Sequence, residues 1–365
     1  MKPTVLLDRV IDGGTYTSLD FEKVNQLIKE KYDFWGGGCT AVAKTIENGD
    51  TIVGRNLDLF ISDKPAYICR TKVEGEYETI GVSYTNMSGT SYADVLENGI
   101  SEEMKLCLPY LCIDVLNEKG LYCEVNMRTG EYYPDGTLKY VCDGTNPKAE
   151  IRTVAFIIPR LVCQKCATVK EAVEYLKTID FYTPKAPGFT WNFCFQLADA
   201  NGDYGVVEIA DNEISFLPQH PAHTNFYITQ KFADKEEYKI GLGRYEVVME
   251  GVEAVNSEED MFELIDKVTY YQSYFPEKCK YDPRSENITL KPYWTTDYVL
   301  AEANREEIFA KINENKNLLN SMTREEIEAT GKYWQTVFTT VANCNKKTMR
   351  VRFFEDDSRV LDLTF

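Results

Sequence analysis

Apolar and polar positions alternate with a period of two over much of this chain and switch to helical spacing in a few segments. Thr40 to Ile46 alternates in the strand manner, and Thr51 to Asn56 returns after Glu47-Asn48-Gly49-Asp50. Asn-Gly suits a type I′ turn, so the pair reads as a hairpin. With Asn48-Gly49 as a two-residue loop, Glu47 pairs with Asp50 and the ladder runs outward. That register sets Cys39 opposite Asp58. It sets Arg55 opposite Val42, pointing to the other face unless a bulge shifts it. Two more hairpins follow: Tyr110–Asn117 with Leu121–Met127, and Thr190–Ala198 with Tyr204–Ala210 around Asn201-Gly202. Thr336–Ala342, Thr348–Phe354 and Val360–Thr364 read as three closing strands.

Helical spacing appears between these blocks. Phe21, Val24, Leu27, Ile28 and Tyr32 predict an amphipathic helix over 20–32. Thr168-x-x-Glu171 is a capping box that opens a helix to about Lys177, and Ser257-x-x-Asp260 gives a similar signal before Met261–Tyr271. A longer helix is expected over 296–319. Hairpins separated by helices predict layers, with helices outside and sheets inside. Residues 39–365 read as one domain behind a leader of residues 1–38.

Composition narrows the function. A net charge of −18 repels phosphate backbones and anionic headgroups, so neither nucleic acid nor a membrane surface is an expected partner. No apolar run reaches the ~18 residues of a membrane span, and the first residues do not read as a secretory signal. The expected location is the cytoplasm. Eleven cysteines, an odd number in a long chain, fit reduced thiols better than a disulfide framework. The only two histidines are His220 and His223, so any histidine-dependent nucleophile must draw on that one segment.

One cysteine stands out. Cys39 follows Gly36-Gly37-Gly38 and opens the first hairpin. If the Gly38–Cys39 bond is broken, Cys39 gains an α-amine, whose ordinary pKa of about 7.7–8.0 suits it to take the thiol proton. One residue then supplies both nucleophile and base, and no histidine is needed. A buried strand cysteine is the plainer alternative. The glycines before it and Arg55 and Asp58 on the return strand favour chemistry.

These residues also carry a resemblance. Cys39-Thr40-Ala41, Asn48-Gly49-Asp50-Thr51 and Gly54-Arg55-Asn56-Leu57-Asp58 resemble the opening of choloylglycine hydrolases, which belong to the N-terminal-nucleophile hydrolases. Asn117-Glu118-Lys119-Gly120-Leu121 with Val125-Asn126-Met127, Thr224-Asn225, Gly243-Arg244-Tyr245 and the closing strands are similar to later motifs of that family, in the same order. The resemblance implies an α+β fold, a four-layer αββα sandwich of two antiparallel sheets. It implies hydrolysis of a linear C–N amide bond through a Cys39 thioester, with no metal and no cofactor. Arg55 and Asp58 would orient the Cys39 thiol and α-amine. Asn126 would donate to the oxyanion, Asn225 would keep the site polar and ordered, and Arg244 would complete the charge network. The expected partner is a small-molecule amide. Homo-oligomers are common in the family, although no residue pattern here derives one.

Many bile salt hydrolases begin almost at the cysteine, whereas this chain carries residues 1–38 ahead of it. Isopenicillin N acyltransferases of the wider superfamily are cut at a Gly-Cys junction, which implies autocatalytic cleavage between Gly38 and Cys39. An acyltransferase, in which an amine resolves the thioester, is the first alternative. An uncleaved, inactive binding protein is the second. Cys163-x-x-Cys166 and His220-x-x-His223 form a formal zinc set, but Pro221 interrupts the histidine pair and no metal site is expected. The aromatic clusters Tyr270–Phe275 and Tyr293-Trp294 could line an acyl pocket or pack in the core.

Overall fold

The computed structural model describes residues 10–16, 38–60, 66–84, 108–129, 142, 144, 149, 151–153, 155–181, 185–186, 189–229, 241–269, 334–353 and 356–365. The helices expected over 20–32 and 296–319, and the aromatic clusters near 270 and 293, lie outside these residues.

Strands are numbered in chain order. One sheet runs β1 (Val10–Tyr16), β4 (Ala66–Val73), β5 (Thr79–Tyr84), β6 (Cys112–Asn117), β7 (Tyr122–Thr129), β11 (Phe189–Ala198), β12 (Tyr204–Ala210) and β13 (Glu213–Pro218), with β10 (Lys185–Ala186) beside β11. The second runs β14 (Ala222–His223), β2 (Gly38–Thr45), β3 (Thr51–Phe60), β15 (Trp334–Asn343), β16 (Thr348–Phe353) and β17 (Asp356–Thr364). A short parallel pair joins β8 (Ile151–Thr153) and β9 (Ile179–Phe181). Within the two large sheets every pairing is antiparallel except β1 with β4. The strand β1 was not legible, because its Gly13-Gly14 breaks the alternation.

The Ile158–Lys165 helix packs on β6 and β7, and the Glu258–Asp266 helix packs on β3 and β15. The layers are therefore helix, sheet, sheet, helix, the expected αββα arrangement. Each strand sends alternate residues to one side. Val42, Ile52 and Val341 meet Met261 and Ile265 under the second helix. Ala43, Val53, Leu57 and Phe338 belong to the larger core that includes the space between the sheets. The caps form as expected. Thr168 Oγ1 accepts from Glu171 N at 3.2 Å, and Ser257 Oγ accepts from Asp260 N at 3.0 Å.

The turn between β2 and β3 differs from expectation. Ile46 N donates to Asp50 O at 2.9 Å and Gly49 N donates to Ile46 O at 2.9 Å. Gly49 has φ +92°, so the loop is three residues long with glycine in the left-handed position. Thr45 then pairs with Thr51, Ala41 with Arg55, Cys39 with Leu57, and Gly38 with Asp58. The register is one residue away from the expected one, and a one-residue change exchanges the faces. Arg55 shares the inner face with Cys39 and needs no bulge to do so. Asp58 is on the other face, not opposite the cysteine.

A second turn has no room to vary. Gly120, between β6 and β7, has φ +90°, and a Cβ built there would lie 2.2 Å from the Cys344 carbonyl oxygen. Gly120→Ala is expected to destabilise the fold by about 2–3 kcal/mol, from a strained φ together with a backbone clash. Urea denaturation checks this. Gly49→Ala has open space around it and should cost less.

Candidate active site

Cys39 is the second residue of β2, with its side chain between the sheets. Its sulphur is 3.4 Å from Arg55 Nη2. Arg55 is wholly buried, so its charge must be met locally. Nη1 donates to Asp114 Oδ2 at 2.6 Å, Nη2 donates to the Val125 carbonyl at 2.9 Å, and Nε lies 3.3 Å from Glu124 Oε2. The guanidinium carbon is 5.5 Å from the centre of the Phe338 ring. Asp114 Oδ1 accepts from Tyr122 Oη at 2.6 Å. Burial pushes the Asp114 carboxyl up to about 6, against the opposing pull of Arg55.

The backbone of Cys39 is held from the other side. Its N–H donates to Asn225 Oδ1 at 3.1 Å, and its carbonyl accepts from Arg244 Nη1 at 2.7 Å. Arg244, on the Leu242–Gly251 helix, also donates to Thr40 Oγ1 at 2.9 Å and to Asn225 Oδ1 at 2.8 Å. Arg244 Nη1 is 3.3 Å from Asp58 Oδ2, and Thr336 Oγ1 donates to Asp58 Oδ1 at 2.6 Å. Arg55 thus reaches the sulphur from the inner face. Asp58 reaches the Cys39 backbone through Arg244 from the helix-facing side.

The two asparagines bridge the sheets. Asn225 Nδ2 donates to the Met127 carbonyl at 2.6 Å. Asn126 Nδ2 makes long contacts of 3.4 and 3.5 Å with the Thr224 and His223 carbonyls, and its Oδ1 is buried with no hydrogen bond among the described residues. Cys39, Arg55, Asp58, Asn225 and Arg244 are therefore joined by direct contacts. Asn126 stands on β7 of the facing sheet, next to the segment that carries Asn225.

Asp114, Glu124 and Cys194 of this network were not singled out beforehand, and His223 was weighed only as a possible histidine base and in a formal zinc set. His223 Nε2 is 2.6 Å from Glu124 Oε1, and His223 Nδ1 is 3.0 Å from Cys194 Sγ. A signal for two of them exists. Asp114 interrupts the apolar run Cys112-Ile113-Asp114-Val115-Leu116, and Glu124 shares the inward phase of β7 with Tyr122 and Asn126. The formal zinc set does not assemble. Cys163 and Cys166 carbonyls accept from Asn117 Nδ2 at 2.6 and 2.7 Å, and His220 Nε2 is 3.0 Å from Tyr245 Oη. No cluster fit for a metal ion occurs among the described residues.

Electrostatics keep the thiol quiet in the intact chain. Burial pushes the Cys39 thiol up to about 12, outweighing the help of Arg55. Thiolate, not thiol, is the nucleophile. Below that pKa its fraction rises tenfold per pH unit. Near pH 8, Cys39 of the uncleaved chain should react with iodoacetamide about 10³-fold more slowly than an ordinary cysteine. Peptide-resolved alkylation rates from pH 7 to 10 check both the delay and the slope.

Comparison with known proteins adds the family. No curated protein is similar in sequence. Among solved structures, penicillin V acylase from Agrobacterium tumefaciens is 14% identical, with 86% of this chain and 83% of that chain covered and a TM-score of 0.48. A variant of conjugated bile acid hydrolase from Clostridium perfringens is 15% identical, with 90% and 92% covered and a TM-score of 0.43. The family model that matches is not that of the choloylglycine hydrolases but one described as acyl-coenzyme A:6-aminopenicillanic acid acyl-transferase, over residues 112–299. The matched stretch holds Asn126, Asn225 and Arg244 and begins beyond Cys39, Arg55 and Asp58. It spans just over half of the chain, which therefore belongs to the acyl-coenzyme A:6-aminopenicillanic acid acyl-transferase family, a family of the N-terminal-nucleophile superfamily.

Proposed function

We propose that the chain hydrolyses linear C–N amide bonds, of the bile salt conjugate, penicillin V or N-acyl amide type, through a thioester on Cys39 formed after residues 1–38 are removed. One observation carries this reading. At a single residue, the sulphur faces Arg55 Nη2 at 3.4 Å while the nitrogen that cleavage would free rests on Asn225 Oδ1 at 3.1 Å. Nucleophile and base each have a dedicated polar partner.

The first step is maturation. Cys39 Sγ attacks the Gly38 carbonyl carbon, the peptide C–N bond breaks as the acyl group moves to sulphur, and water releases the leader. The freed α-amine then takes the thiol proton. Asn225 holds that nitrogen, Arg244, paired with Asp58, holds the Cys39 carbonyl, and Arg55 stabilises the thiolate. In each turnover the thiolate attacks the substrate carbonyl, Asn126 donates to the oxyanion, and the α-ammonium protonates the leaving amine. Water, deprotonated by the amine, resolves the thioester.

The family description favours a second reading, in which an amine resolves the thioester. One experiment tests both. The matured chain is given N-acyl p-nitroanilides with and without an added amine such as glycine ethyl ester. Release of p-nitroaniline with free acid supports the hydrolase, and acyl-amine product formed in preference to acid supports the transferase. Release with no acyl adduct on Cys39 after acid quench contradicts both.

A further inference from the structure

The network around Cys39 ends on a second thiol. Cys194 lies on β11 directly opposite Asn126 of β7. Its Sγ is 3.0 Å from His223 Nδ1, and it also lies 3.7 Å from each of the Asn126 and Thr224 carbonyls. His223 Nε2 is 2.6 Å from Glu124 Oε1, which also accepts the Gln196 backbone N–H at 2.8 Å. The amide Nδ2 of Asn126, a donor, lies 3.4 Å from Nδ1, so the tautomer that suits both neighbours carries its hydrogen on Nε2, toward Glu124, and leaves Nδ1 as an acceptor facing the Asn126 amide and the thiol. Thiol, imidazole and carboxylate in that order is the arrangement that activates a cysteine.

Two features speak against simple packing. Cys194, Glu124 and His223 are all fully buried, and apolar side chains would fill that space without the desolvation of an imidazole and a carboxylate. In addition, Asn126 Oδ1 and Gln196 Oε1 are buried and accept no hydrogen bond among the described residues. Asn126 is the cross-strand partner of Cys194, and Gln196 follows it two residues on, along the same face. Buried acceptors flanking a thiol match the N–H groups of an amide-bearing acyl compound.

We propose that Cys194 is a second nucleophile, activated by His223 and oriented by Glu124, which accepts acyl groups from compounds that carry an amide N–H beside the reacting carbonyl. Sγ attacks the carbonyl carbon of an ester, a C–S bond forms, and the bond to the leaving oxygen breaks. The thiol proton passes to His223 Nδ1 and then to the leaving group, while Glu124 keeps the ring in place through Nε2. The inference rests on reading this interior as an acyl-transfer site, but it does not depend on maturation. Cys39 waits for its base until Gly38 is gone, whereas Cys194 has one in the intact chain. Cys39 is itself only 2% exposed and lies between the same two sheets. Opening of the interior that admits substrate to one sulphur serves the other.

The test uses the full chain carrying Cys39→Ala, treated with the p-nitrophenyl ester of N-acetylglycine. p-Nitrophenolate release gives the rate and peptide mass locates the adduct. The expected result is one acyl group on Cys194, formed about 100-fold more slowly when His223→Gln is added. Loosened packing would have the opposite sign, because a more open interior speeds acylation. Glu124→Gln in the same background is the second variant, expected to slow acylation about tenfold. An adduct absent from Cys194, or one formed as fast or faster in both variants, overturns the proposal. Failure of the Cys39 reading would show separately, as wild-type chain that never carries an adduct on Cys39.

Discussion

Cys39→Ala should abolish amide turnover and leave residues 1–38 attached. In the proposed mechanism the residue is the nucleophile of both reactions, and its α-amine exists only if the first has occurred. Removing the nucleophile of a unit that acts together costs on the order of 10⁶ in kcat, with any remainder coming from binding and the oxyanion donor. The fold should tolerate the change. The side chain is small, and its one polar contact among the described residues is with Arg55, which keeps Asp114, Glu124 and the Val125 carbonyl. Loss of activity with an unchanged urea midpoint is therefore the expected pattern. Steady-state rates on the p-nitroanilide series, beside a denaturation curve, check it.

The second large effect is on stability. Arg55→Met should cost about 3–5 kcal/mol, because it leaves Asp114 and Glu124 buried without their guanidinium. Methionine fills much of the space and keeps contact with Phe338, so the loss reports uncompensated charge rather than a cavity. Arg55→Lys should recover only part of it. An ammonium is a point charge, whereas Arg55 meets two carboxylates, a carbonyl and a sulphur from a planar fork. Adding Asp114→Asn and Glu124→Gln to Arg55→Met should return most of the stability, since the stranded charges are then gone. Urea denaturation of the three proteins decides the matter, and a triple variant no more stable than Arg55→Met would contradict this account.

Much of the architecture was legible because alternation is a strong signal. The hairpins Cys112–Asn117 with Tyr122–Thr129, and Phe189–Ala198 with Tyr204–Ala210, and the three closing strands form where the apolar phase placed them. The two capping boxes worked because their hydrogen bonds are local. Register was harder. Asn48-Gly49 is compatible with a two-residue or a three-residue loop, and that single residue decides whether Arg55 or Asp58 faces the Cys39 side chain. The expectation chose the wrong loop and so exchanged the faces, yet both residues reach Cys39 by different routes.

The remainder of the network is non-local. His223 meets Glu124 across a separation of 99 residues, and Arg55 meets Asp114 across 59. No spacing rule links such positions. The scarcity of histidine favoured a mechanism without one at Cys39, and it gave no sign that His223 would stand in the network beside that residue. His223 is hydrogen-bonded to the same carboxylate that contacts Arg55.

The most direct test of the central claim is the intact mass and N-terminal sequence of wild-type chain beside Cys39→Ala, taken from the same preparation used for amide turnover. The account predicts a wild-type species that begins at Cys39 and is active, and a variant that retains residues 1–38 and is not. Wild-type chain that keeps its leader and still hydrolyses amides would contradict it, because the Cys39 nitrogen would then be an amide and could not serve as the base.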